Sequence, residues 1–104
     1  MGSAFFGWIQ ERVRAGRYVI SKHAELERSE ENIDVIEIEK GVASGLLLED
    51  YPADPRGHSC LIAGFSGGRW IHLVCGQKND WAIIITVYVP LAPYWRTPIH
   101  RGES

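Results

Sequence analysis

Residues 58–90 read HSCLIAGFSGGRWIHLVCGQKNDWAIIITVYVP. Three apolar runs, HSCLIAGF, RWIHLVC and WAIIITVYVP, are rich in β-branched or aromatic residues and are bounded by turn formers. Gly67-Gly68 and the stretch Gln77 to Asp80 are both of hairpin length, so these runs are predicted to pair as antiparallel strands. LLLEDY, from Leu46, is a further strand, and the stretch from Pro52 to Gly57 is a longer connection. The predicted strands are 46–51, 59–65, 69–76 and 81–89. Pro90, Pro93 and Pro98 then interrupt regular structure.

Upstream of the strands the apolar period is helical. Phe5, Trp8, Ile9, Arg12 and Val13 share one side of a predicted helix over 4–15, with Gly16 as its C-terminal stop. Tyr18-Val19-Ile20 is a short extended link. Ser21 is placed to cap a polar helix over 22–31. Asp34 and Glu37 have capping-box spacing for a third helix over 35–43, ended by Gly45. Helices in one block and strands in the next predict an α+β fold in a single domain, 1–104. Two to three N-terminal helices precede a four-stranded antiparallel sheet and cover one of its faces.

Composition bounds the function. The chain has 104 residues, 45% hydrophobic and 23% charged, ordinary proportions for a folded domain able to bury a core without staples. The longest apolar run, Trp81 to Ala92, is too short for a membrane span, which takes about 20 residues. No basic segment followed by a long apolar stretch opens the chain, so a cytoplasmic location without membrane association is expected. The net charge of −2 conceals an asymmetry: residues 1–54 hold six Lys/Arg and eleven Asp/Glu, residues 55–104 five and two. A mildly basic strand half suits a polyanion, but a solvated acidic helix face gives the same numbers, and nucleic-acid domains are usually more basic. Cys60 and Cys75 lack the spacing of zinc ligands, and neither a metal nor another cofactor is expected.

Strand register distributes the polar residues. A two-residue Gly67-Gly68 loop sets Cys60 opposite Cys75. A four-residue 77–80 loop then places Leu61, Ala63, Trp70, His72, Val74, Ile83 and Ile85 on one face, which is expected to meet the helices. The other face carries His58, Cys60, Ile62, Ile71, Leu73 and Ile84, with Arg69 opposite Tyr88 and Ile71 opposite Thr86. A β-bulge would invert these faces.

The chain also carries an ordered set of features: His23-Ala24 opening a charged helix with Arg28, Ile33-Asp34, Glu49-Asp50-Tyr51, Gly68-Arg69-x-x-His72-x-Val74, Ile85-Thr86-Val87-Tyr88-x-Pro90, and Trp95. Over about residues 18 to 95 it resembles the bacterial family called domain of unknown function 4258. That family is similar in fold to the small toxin ribonucleases of the RelE and ParE type. The resemblance implies a RelE-like toxin architecture and an antitoxin-like protein encoded nearby as partner.

Metal-independent RNA cleavage needs a base for the 2′-hydroxyl, an acid for the leaving oxygen and a cation for the phosphorane. On that chemistry the catalytic candidates are His23, Arg69, His72 and Tyr88. Arg28, Thr86 and Arg96 are the candidate substrate contacts. Each residue also has a plain structural reading. His72 is a satisfied core histidine, Arg69 with Tyr88 a surface cation–aromatic pair, Thr86 a good strand former, and Arg96 part of a solvated tail. An exposed Arg69 would contribute little to folding. The competing function is a non-catalytic interaction module that binds protein through the sheet edge or the exposed sheet face.

Overall fold

The computed structural model describes residues 3–91 and 95–101, the side chains of Arg96 and Arg101 excepted. Each helix starts where the sequence supplies a cap. Helix α1 (Ala4–Arg14) begins at Ser3, whose hydroxyl accepts from the Phe6 N–H at 2.9 Å. Gly16, with φ +75°, turns the chain after it into strand β1 (Tyr18–Ile20). Helix α2 (Lys22–Glu30) is capped by Ser21, which accepts from Ala24 N–H at 3.0 Å and donates to the Ile85 carbonyl at 2.9 Å. One hydroxyl thus both starts a helix and fixes it to the sheet. Helix α3 (Val35–Ala43) has the expected capping box, with the Glu37 carboxylate accepting from Asp34 N–H at 3.1 Å.

Strands β2 (Leu46–Tyr51), β3 (Ser59–Ser66), β4 (Arg69–Lys78) and β5 (Trp81–Tyr88) form the expected antiparallel meander. The sheet is nevertheless five-stranded and mixed, in the order β1-β5-β4-β3-β2, which corrects the four-stranded antiparallel expectation. Tyr18–Ile20 lies parallel to Ala82–Ile84. Three residues are too few to show a strand period, and a parallel partner lies far away in sequence, so local reading saw only a link. A separate hairpin of β6 (Trp95–Thr97) and β7 (His100–Arg101) follows.

The register also departs from expectation at one end. Gly67 and Gly68, both at positive φ, close the β3–β4 hairpin, and Cys60 faces Cys75 as expected. The second loop is shorter than expected: Lys78 pairs with Trp81, leaving a two-residue turn in which Asn79 takes φ +57°. A β-bulge at Val74/Cys75 then shifts the pairing once more, so Thr86 lies opposite Val74 and Tyr88 opposite His72. Arg69 is therefore not opposite Tyr88, nor Ile71 opposite Thr86.

The helices also cover the face opposite to the one expected, a separate departure, since the β3–β4 register is as expected. The helices cover the side bearing Cys60, Ile62, Ile71, Leu73, Cys75, Ile84 and Val87, packing Ile9, Val13, Ile38 and Val42 against it. His72 is buried, but on the opposite face. Each fully buried isoleucine here stabilises the fold by about 1.5–3 kcal/mol. Helix α3 approaches closest: a Cβ on Gly64 would sit 2.3 Å from the Gly41 carbonyl oxygen and 2.5 Å from the Gly41 Cα. Only a glycine in β3 lets helix backbone rest on strand backbone there. Among the described residues no helix is long and apolar enough to cross a membrane.

Candidate functional site

The candidate residues fall into three places. The first is the corner where the β3–β4 hairpin meets the α2–α3 junction. Arg69 donates from Nε and Nη2 to the two Glu37 oxygens at 3.2 and 3.3 Å. It also donates to the carbonyls of Glu31, at 3.1 Å, and Asn32, at 2.7 Å. Asn32 sits at φ +54°, where α2 ends, so Arg69 ties down a left-handed turn. Burial pushes the Glu37 carboxyl up, but the bonds from Arg69 and from Asp34 N–H outweigh it and hold it below its ordinary value. Arg28 is engaged close by, donating to Glu25 at 2.6 Å and to the Ile33 carbonyl at 3.2 Å.

The second place is the β5 edge. His23 is 68% exposed on α2, with Nε2 3.3 Å from Glu27. Glu27 reaches across and accepts from the Val87 N–H at 3.0 Å. Beyond the end of β1, a carboxylate thus takes the position that a neighbouring strand's carbonyl would hold. His23 belongs to this sealed edge.

The third place is the sheet face turned away from the helices. His72 is fully buried there. Its Nδ1 lies 3.1 Å from the Tyr88 hydroxyl and its Nε2 2.5 Å from the Pro98 carbonyl. A carbonyl only accepts, so Nε2 carries a proton, and in the neutral ring Nδ1 accepts from Tyr88 O–H. Trp95 stands edge-on to the imidazole with ring centres 4.2 Å apart. Thr86 is half-buried on the same face, beside Val74. The side chain of Arg96 lies outside the described residues.

The structure thus brings His72 and Tyr88 together, which the expected register kept apart. Arg69, His23 and Arg28 sit elsewhere, each within bonds internal to the fold. Sequence reading missed Glu37 as the partner of Arg69, Glu27 as the cap of β5, and Pro98 as the partner of His72. The capping-box glutamate was legible, but a helix residue's second partner 32 positions away leaves no local signal.

Other polar clusters are also internally paired. Asp80 accepts from Arg12 at 2.8 Å and Arg17 at 2.6 Å, and the bond from Arg12 holds its carboxyl below the ordinary range. His58 contacts Asp50 at 2.5 Å and stacks on Phe5. Burial pushes the Cys60 thiol up to about 12, helped by the Asp50 charge, and raises Cys75 well above its ordinary value. Both thiols therefore stay protonated and poorly nucleophilic. Among the described residues no three His, Cys, Asp or Glu side chains are grouped to hold a metal ion.

Three helices on one face of a mixed sheet, with a covered histidine–tyrosine pair on the other, define a small α+β domain. The family described as domain of unknown function 4258 matches residues 20–89, well over half of the 104 residues, and the chain belongs to it. The matched span contains α2, α3 and β2–β5, and it leaves α1 and the β6–β7 hairpin outside. No curated protein and no solved structure matches the chain.

Proposed function

We propose that the chain is a non-catalytic protein-interaction module that receives an extended partner segment along β2. The observation that carries this reading is the engagement of Arg69. Arg69, the cation expected to face a phosphorane, makes four hydrogen bonds within the fold, on the face opposite His72 and Tyr88. What supports β2 as the contact is the unequal treatment of the two sheet edges. The strand at the other end of the sheet is β1, only three residues long, whereas β2 spans six residues and ends the strand order among the described residues. Unpaired edge groups are a template for an added strand. Leu46 and Phe65 lie 50% and 54% exposed at one end of it, with Trp70 against Phe65. The bulge between Leu47 and Glu49 restricts pairing to a short segment.

A second reading is a metal-independent ribonuclease of a toxin–antitoxin pair with RelE-like architecture. One observation favours it: His72 and Tyr88, an acid–base pair by chemistry, meet within the matched span. Expression in bacteria with and without the protein encoded nearby separates the two. The module reading expects normal growth, intact RNA, a co-purifying complex and slowed hydrogen exchange at 46–51. Growth arrest with RNA cleavage, abolished by Tyr88→Phe and relieved by the neighbouring protein, would replace it with the ribonuclease.

A further inference from the structure

We infer that the β6–β7 hairpin is an internal occupant of a peptide-binding seat on the second sheet face, displaced when a partner segment carrying an aromatic residue binds there. The seat is separate from the β2 edge, and the inference does not depend on docking at that edge. It is built by three features. The bulge turns Tyr88 onto the face of His72. Tyr88 meets Nδ1, so Nε2–H points away from it as a donor. Around that donor, Leu61 and Ala63 are buried although the helices lie on the other side of the sheet.

What fills the seat defines what it recognises. Pro98 supplies a backbone carbonyl to Nε2, and Trp95, three residues earlier, sets its indole edge-on to the ring. An extended segment bearing an aromatic side chain and a carbonyl at that spacing offers the same two contacts. The cover and the seat also differ in their relation to the family match. His72 and Tyr88 lie inside the matched residues 20–89, and the hairpin lies outside them. Within the hairpin Trp95 is 6% exposed, while Ile99 is 40% exposed and Thr97 and His100 face solvent. The core cluster on the helix side contains no residue of the hairpin. The apolar groups that its lifting uncovers favour refilling by another aromatic segment.

The test uses the full chain, wild type and Trp95→Ala, with a fluorescent heptapeptide of the sequence WRTPIHR as probe. The variant is expected to bind the heptapeptide at least tenfold tighter than wild type, and a heptapeptide with alanine in place of tryptophan should lose that gain. In wild type, native-state hydrogen exchange should be at least tenfold faster in β6–β7 than at Leu61 and Leu73. A folded variant that binds no better than wild type overturns the inference. So does a variant that cannot fold, or exchange in β6–β7 as slow as in β3 and β4, because either makes the hairpin part of the fold's indivisible core.

Discussion

Arg69 shows how a residue type suited to chemistry can be absorbed by architecture. Its guanidinium joins the α3 capping box to the two carbonyls that end α2, so three local structures share one side chain. Arg69→Ala is therefore expected to destabilise the protein by about 1–2 kcal/mol, the smaller end for charged hydrogen bonds because the side chain is partly exposed. The effect should depend on pH with a definite sign. Glu37 has a lowered folded pKa, so its contribution is full above the ordinary glutamate value, about 4.3, and is lost as pH falls through the folded value. Urea unfolding at pH 7 and pH 3 should show the gap between wild type and Arg69→Ala narrowing in acid. An equal gap at both would remove the ion pair from the account. The caps at Ser21 and Asp34 were legible because they are local. The placing of Arg69 was not, because its partners come from another element.

At the scale of elements, the backbone contact of α3 on β3 is the most demanding. Gly64→Ala drives a methyl into the Gly41 backbone, which has no rotamer to yield, and should cost about 1–3 kcal/mol or more. Gly41→Ala makes the reverse comparison. Its methyl meets the end of Ile71 at 3.1 Å, a flexible neighbour, and gains helix propensity of about 0.5–1 kcal/mol. Thermal melting should rank Gly64→Ala far below Gly41→Ala, and equal melting temperatures would contradict the close packing. Most element boundaries were readable from caps, glycines and strand period. The β4–β5 bulge was not, since Ile83 to Ile85 offers the same β-branched residue at consecutive positions and no pattern to mark the slip. That single slip moved Thr86 and Tyr88 across the sheet and rewrote the candidate site.

For the whole molecule, the two-face division carries the properties. The helix side is an apolar core, and Cys60 and Cys75 face each other within it, fully buried and free. Their thiols should be silent to an aromatic disulfide reagent in native protein and both react in denaturant, at a rate that follows global opening. Rapid reaction in native buffer would place at least one thiol outside the core. The α+β class followed from the order of apolar periods, and the charge asymmetry from counting. The fifth strand did not follow, because its pairing is a property of the whole chain.

That pairing has a consequence in time. Val19 and Ile83 are partners in β1 and β5, 64 positions apart in sequence. During synthesis Tyr18–Ile20 leaves the ribosome early and has no edge to join until Trp81–Tyr88 has been made. The β3–β4 hairpin, closed by two glycines, joins neighbours in sequence, whereas β1 must wait for β5. Through that interval the nascent chain holds α1 and α2 without the sheet that buries Ile9, Val13 and Ala24. The strand that completes the finished sheet thus cannot take its place before Trp81–Tyr88 exists.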